Sequence, residues 1–231
     1  MKSLDRSLRS RPPTKRRRSP AAVANHRRLA ARDARMRRFG YDASAGVKFV
    51  MAQALPLEGS VLEIGTGKGR FLSALAPRDA SVTTLDISAE EQRYARLNIE
   101  YAGVKNRVQY VIGDAACLPW PDAAFDAIVT MNAIHHIPDF QRVLEEMRRV
   151  VKPGGKLVLA DFSPRGFQIM ARFHRSEGKI HECHRCDFSD LRKRLRDAGW
   201  TTRYRKGKMQ ELLVGWRPGV PVQSSKSNPV S

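Results

Sequence analysis

Between positions 61 and 71 the chain reads Val61-Leu62-Glu63-Ile64-Gly65-Thr66-Gly67-Lys68-Gly69-Arg70-Phe71, an acid followed by three glycines at every second position. Apolar residues run into this segment and a helical pattern leaves it. Such a sequence is a buried strand ending in a turn of bare backbone close to a ligand, with helix N–H groups aimed at that ligand. Two more acids close later strand-like runs. Asp86 ends Ser81-Val82-Thr83-Thr84-Leu85-Asp86, 21 positions after Gly65, and Asp114 follows Val108 to Gly113. An α/β nucleotide-binding sheet places at the second of these points the carboxylate that accepts hydrogen bonds from ribose hydroxyls. The Gly-x-Gly-x-Gly spacing departs from that of a nicotinamide site, and Glu63 would repel a pyrophosphate. Three acids suit a ligand that carries a cationic amino group and a ribose but no phosphate.

Proton chemistry has fewer candidates. His135, His136 and Asp161 fall near the carboxyl edge of the same sheet, with His174 beyond. His135 and Asp161 are the candidate catalytic pair, if the reaction needs a base at all. Each also has a plain alternative: a packing or cofactor-shelf role for the histidines, and capping of the next helix for Asp161. The segment His181-Glu182-Cys183-His184-Arg185-Cys186 invites a zinc reading, but four ligands within six residues cannot easily surround one tetrahedral ion, and no second Cys-x-x-Cys exists. No metal is expected, and the segment reads as a polar loop beside the acceptor.

The elements that must position these residues alternate. Ala21 to Arg38 and Ser44 to Leu55 are helical by composition and spacing, with a Gly40-Tyr41-Asp42 turn between them where Tyr41 packs. Strands are expected at Ser60–Ile64, up to Asp86, at Val108–Ile112, Phe125–Met131 and Lys156–Phe162. Helices follow from Gly69 to Leu75, from a Ser88-Ala89-Glu90-Glu91 capping box to Tyr101, and through Leu144 to Val151 before Pro153-Gly154-Gly155. Gly166 to Glu177 is helical, with Phe167, Met170 and Phe173 on one face. Asp187 opens a helix through Leu195, and Trp200–Arg205 with Met209–Val214 form a hairpin around Gly207.

Composition bounds the class. At 231 residues the chain supports one domain with extensions, and no apolar run approaches the ~20 residues that span a bilayer. Three cysteines and the lack of a leader-like apolar stretch lead to the expectation of a cytoplasmic protein. The formal charge is +19, of which residues 1 to 39 supply +12, from 14 Lys and Arg against Asp5 and Asp33. Residues 1–20 are expected to be a disordered basic tail. That tail serves solubility, targeting, or contact with nucleic acid or an anionic surface. Residues 218–231 read as a loose C-terminal tail.

In motif order the chain resembles the class I S-adenosylmethionine-dependent methyltransferases, nearest to the small-molecule branch that includes quinone-biosynthesis enzymes. Glu63 to Gly69 is similar to their first motif, Leu85-Asp86-Ile87-Ser88 to the second and Gly113-Asp114-Ala115 to the third. Phe125 to Val129 with Asn132 to Ile137, and Leu144 to Leu157, are similar to the segments around their fourth and fifth strands. The resemblance implies a Rossmann-like, open, mostly parallel seven-stranded sheet with helices on both faces and a C-terminal antiparallel hairpin. It divides the chain into N-terminal helices over the cofactor site (21–56) and a methyltransferase domain (57–217). It implies S-adenosylmethionine as cofactor, bound by Glu63, Gly65, Thr66, Gly67, Gly69, Asp86, Ile87, Asp114, Ala115 and Asn132. The acceptor is expected to be a small molecule, set between the N-terminal helices and the face carrying Phe167, Met170, Phe173 and His174; packing of that face against the sheet is the competing reading. Two other readings are a nucleic-acid methyltransferase and a non-catalytic cofactor-binding module. Against the first, no Pro-Pro-aromatic run follows Asn132 and Cys117 lacks a Pro-Cys setting; against the second, the acids and glycines are all in place.

Overall fold

The computed structural model describes residues 18–76, 80–104, 108–179, 183–184 and 186–219. Most of the basic tail, most of the C-terminal tail, and His181, Glu182 and Arg185 of the Cys-x-x-Cys segment lie outside the described residues.

Seven strands form one sheet: β1 (Ser60–Ile64), β2 (Ser81–Asp86), β3 (Val108–Ile112), β4 (Phe125–Met131), β5 (Val151–Phe162), β6 (Thr201–Lys206) and β7 (Gln210–Trp216). Their order is β3-β2-β1-β4-β5-β7-β6. The first five are parallel to their neighbours, whereas β7 runs antiparallel between β5 and β6. The order reverses between β1 and β4, which opens a crevice at their carboxyl ends. Helices α1 (Pro20–Arg38), α2 (Ala43–Ala54), α3 (Leu72–Leu75), α4 (Ala89–Ala102), α5 (Phe140–Val150), α6 (Pro164–Ser176) and α7 (Phe188–Asp197) surround the sheet.

Both faces of the sheet are covered, so its central strands are apolar nearly throughout. Leu62 and Ile64 join α5 and α7 in one cluster, while Val61 joins α2, α3 and α4 in the other. Side chains alternate along a strand, so Glu63 shares the face of Val61, and Asp161 shares that of Leu157 and Leu159 under α5 and α7.

Two boundaries differ from the sequence expectation. Regular helix after the glycine loop is confined to Leu72–Leu75, because residues 65–71 hold three left-handed glycines. Strand β5 starts at Val151, with a register shift in its pairing to β4 between Phe125 and Ala127. Gly155 sits in that irregular stretch, where a Cβ would stand 2.7 Å from the Asp126 carbonyl oxygen.

Helix α1 lies across the site and is fastened by polar contacts. Ser19 caps it, its Oγ accepting from the Ala22 N–H, and Pro20 fits the first turn. Asn25 Nδ2 donates to Asn98 Oδ1 (2.9 Å) on α4, and Asn98 Nδ2 donates in turn to the Lys68 carbonyl of the glycine loop (2.7 Å). His26 stacks on Tyr101 with ring centroids 3.7 Å apart.

Candidate active site

The glycine loop is built from below. Gly65 and Gly67 have φ of +84° and +47°, conformations that side chains with a Cβ rarely adopt. A Cβ on Gly65 would meet that of Ala133 at 2.4 Å, whereas one on Gly67 would have nothing within 4 Å and would project into open space. Under the loop runs a line of hydrogen bonds. Gln92 Nε2 donates to Thr66 Oγ1 (3.3 Å), Thr66 and Thr84 hydroxyls meet at 2.6 Å, and Thr84 Oγ1 donates to Glu63 Oε2 (2.5 Å). Burial pushes the Glu63 carboxyl up to about 8, against the Thr84 hydrogen bond and with help from the nearby Asp86 charge.

Above the loop opens a cavity of about 890 Å³. Gly65, Thr66, Gly67, Asp86, Ile87, Asp114, Ala115 and Asn132 line it; Glu63 and Gly69 do not. Glu63 is 1% exposed and supports the loop from below through Thr84. Gly69 instead lets the loop approach α4, where a Cβ would stand 3.0 Å from Ala95 Cα.

Asp86 accepts from the Gly67 and Ser88 N–H groups, each at 2.8 Å, which fixes its carboxylate at the carboxyl end of β2. Asp114 is held by the Ala116 N–H (2.8 Å). Ile87 is 74% exposed, an apolar shelf at the rim facing Ala115 and Ile137 across the opening. Asn132 sits at the end of β4 with φ of +56°, and its Oδ1 is buried without a hydrogen-bond partner. A strained, unsatisfied acceptor beside a bare glycine loop points to a donor group brought by a ligand.

The structure keeps His135 and Asp161 off this cavity. Asp161 Oδ1 accepts from His135 Nδ1 (2.7 Å), Oδ2 accepts from the His135 backbone N–H (2.9 Å), and the Phe162 N–H adds a third bond (2.7 Å). Both side chains are only 3% exposed, on the α5–α7 face where alternation along β5 puts Asp161. His136, the next residue in the single 3-10 turn Ile134–His136, lines the cavity instead. The buried pair therefore anchors the turn that presents His136.

Three more cavity residues carried little signal in the sequence. Tyr41 is 3% exposed, and its hydroxyl meets Gln210 Nε2 (3.0 Å) and Asn132 Nδ2 (3.4 Å). Burial pushes its pKa up to about 12 against the lowering effects of Asn132, Arg70 and Gln210, so it stays a neutral hydroxyl at physiological pH. Arg70 is ion-paired with Asp33 of α1, and its Nε is buried without an acceptor. Arg32 pairs with Glu177 just past α6 (3.0 Å) and lies over the Phe173 ring. Burial would raise the Glu177 carboxyl, but Arg32, then Arg35 and Lys179, outweigh it and hold the group below the usual carboxylate range.

The expected apolar acceptor wall on α6 is not a wall of this cavity. Met170 and Phe173 are buried with Met36, Tyr41 and Phe162 in a cluster that joins α6 to α1. Phe167 packs edge-on against His135 and Phe162. Only His174 of that set lines the cavity. Cys186 belongs to a separate depression of about 800 Å³ between α7 and the hairpin. Among the described residues no cluster of three or more His, Cys, Asp or Glu could hold a metal, and no helix is long and apolar enough to cross a membrane.

Residues 62–159 match the family model described as a methyltransferase domain. The chain carries a methyltransferase domain. Among curated relatives, 27-O-demethylrifamycin SV methyltransferase of Amycolatopsis mediterranei is 37% identical over 136 residues, 56% of this chain and 50% of that protein. A ubiquinone/menaquinone biosynthesis C-methyltransferase of a Shewanella species is 32% identical over 117 residues, 49% of this chain and 47% of that one. The chain thus spans about half the length of these relatives. Among solved structures, an S-adenosylmethionine-dependent methyltransferase from Mesorhizobium loti superposes with a TM-score of 0.61 at 19% identity, covering 76% of this chain and 99% of that one. The [4+2]-cyclase SpnF gives 0.62 at 19% identity, covering 78% and 83%. These likenesses establish the fold, which other chemistry shares. The domain has the Rossmann-like fold of these structures, with the antiparallel β5-β7-β6 edge expected of it.

The residues at the site fit S-adenosylmethionine. Gly67 leaves room for the donor's chain, Asp86 offers acceptors for ribose hydroxyls, and Ile87 gives a flat apolar face for a base. The unpaired Asn132 Oδ1 and Arg70 Nε offer an acceptor for an amino group and a donor for a carboxylate.

Proposed function

We propose that this protein transfers the methyl group of S-adenosylmethionine to a small-molecule acceptor. The observation that carries the reading is one continuous cavity of about 890 Å³ that holds both the donor-type residues and a second, differently charged end under α1 and α2. That volume lies within the roughly 300–1,000 Å³ typical of small-molecule and cofactor sites. Relatives named for rifamycin, fatty-acid and quinone substrates support a small acceptor over a macromolecule.

Bound S-adenosylmethionine supplies an electrophilic methyl on a sulfonium. Held by Asp86 and the glycine loop, the donor would supply that methyl to an acceptor lone pair, the C–S bonding electrons returning to sulfur. The protein needs no covalent intermediate; its residues hold the two molecules in line and exclude water. Asp86 and the glycine loop orient the nucleoside. Tyr41 and Asn132 fix the edge of β4, and His136 is the group placed to receive a proton from the acceptor. His135 and Asp161 act through it as positioning residues. Calorimetry with S-adenosylhomocysteine, followed by incubation of labelled S-adenosylmethionine with small-molecule and RNA fractions of a cell extract, tests the reading. We expect S-adenosylhomocysteine to bind and label to appear in the small-molecule fraction; label in RNA alone, or no binding, overturns it.

A further inference from the structure

The cavity is electrically polarised. Its β2–β3 end carries Asp86 and Asp114, with Lys68 paired to Glu91. Its α1–α6 end carries Arg32, His174 and Lys179. The two cation groups are distinct: Asp33 of α1 reaches Arg70 beside the glycine loop, whereas Arg32 turns the other way, over Phe173 and onto Glu177. Arg70 therefore belongs with the donor, and Arg32 with whatever fills the rest of the cavity. Among the described residues Arg32, Arg35 and Lys179 face a single acid, Glu177, which leaves an excess of positive charge at the α6 end. The cavity is also lined by the apolar side chains of Ala43, Val47, Met131 and Ile137.

Resting on the methyltransferase reading, we propose that the acceptor is an anionic amphiphile, with an apolar or aromatic body against Val47 and Met131 and a carboxylate or phosphate head held by Arg32 and Lys179. The charge pattern matches the pair of ligands: the donor brings a net positive charge to the acidic end, and the acceptor brings a negative one to the basic end. An arginine whose carboxylate partner is only 12% exposed is held at the rim in a fixed orientation, which suits reading an oxyanion. A neutral acceptor would leave this excess uncompensated in a half-enclosed space.

The test uses the full chain saturated with S-adenosylhomocysteine, whose own binding is measured first by calorimetry. If that product does not bind, the methyl-transfer reading fails and the proposal with it. If it binds, the fluorescent probe 8-anilinonaphthalene-1-sulfonate is titrated beside N-phenyl-1-naphthylamine, the same ring system without the sulfonate. We expect the sulfonate to bind at least about tenfold more tightly at low salt, with the gap closing near 0.5 M salt. Arg32→Gln and Lys179→Gln should each weaken the sulfonate by about three- to tenfold and leave the neutral probe unchanged. Glu177→Gln should tighten it, because Arg32 and Arg35 lose their competitor. Arg196→Gln, beside the other depression, should change nothing. Lys179 is exposed, so its variant reports even if Arg32→Gln fails to fold. Displacement by 2-naphthoate alone assigns a carboxylate head, and by 1-naphthyl phosphate alone a phosphate head. Equal affinity of the two probes, insensitivity to both cation variants, or displacement by neither naphthyl anion overturns the proposal.

Discussion

Replacing Glu63 by glutamine tests how the loop is held, through a change of sign. The folded pKa of about 8 lies above the ordinary 4.5 because the carboxyl is fully buried. The stability contributed by its protonated form is complete below pH 4.5 and is lost as the pH rises through 8. Each unit between the two values costs about 1.4 kcal/mol, so carrying Glu63 costs roughly 3 kcal/mol at pH 7 and roughly 5 at pH 8.5. Glutamine escapes that cost, but its amide nitrogen cannot replace the acceptor that faces the Leu72 N–H, a loss of about 1–2 kcal/mol. The ligand-free variant should therefore be less stable than the parent by about 1 kcal/mol at pH 5, more stable by about 1–2 at pH 7, and by about 3 at pH 8.5. Urea unfolding followed by circular dichroism at the three pH values measures this directly. A difference of the same sign and size at all three would refute the buried, protonated carboxyl.

Asp86→Ala should weaken S-adenosylhomocysteine by about 1.5–3 kcal/mol in calorimetry, the range for hydrogen bonds to a charged group, and cost about 1–3 kcal/mol of stability in urea unfolding through the unpaired Gly67 and Ser88 N–H groups. His135→Ala should lower the melting temperature by roughly 6–12 °C, since it strips a buried Asp161 of its partner at about 3 kcal/mol. His136→Gln should leave melting within about 2 °C and reduce turnover, most at low pH if the acceptor must lose a proton. Met170→Ala should cost about 2–5 kcal/mol of stability while leaving cofactor affinity intact, as a truncation in the α1–α6 cluster. Gly67→Ala should fold with a penalty of about 1 kcal/mol and lose cofactor affinity, because its methyl group enters the cavity.

The sheet was legible because its signals are local. Strands β1 to β4 begin and end where apolar runs meet glycines or acids, and Ser88 caps α4 as its capping box implies. The acidic edge of the sheet was legible for the same reason: Asp86 and Asp114 stand at consecutive strand ends. Parity and long-range packing were not legible. Whether His135 or His136 turns inward depends on a single 3-10 turn and on Asp161, 26 residues later. Glu63 follows β1 alternation to the face under the loop, which its position in the motif does not disclose. The face of Phe167, Met170 and Phe173 has one helical pattern whether it lines a cavity or meets another helix; α1 decides, and its anchors are polar. Arg32 and Arg70 stand among so many basic residues that composition gave no reason to separate them.

Helix α1 buries only Ala22, Asn25 and Met36, and is otherwise held by the Asn25–Asn98 hydrogen bond, the His26–Tyr101 stack and ion pairs to Arg70 and Glu177. A closure with so small an apolar seam and so many solvent-reachable charges opens cheaply, and more cheaply in salt. Loading and discharge of the cavity then become a matter of how often the strap lifts, so residence time of the spent donor should shorten as ionic strength rises. On the proposed reading Arg70 couples the two events, because the guanidinium that would meet the donor's carboxylate also fastens α1 through Asp33. A donor carboxylate on Arg70 would compete with Asp33, as an anionic acceptor on Arg32 would with Glu177, so filling the cavity would loosen α1 rather than latch it.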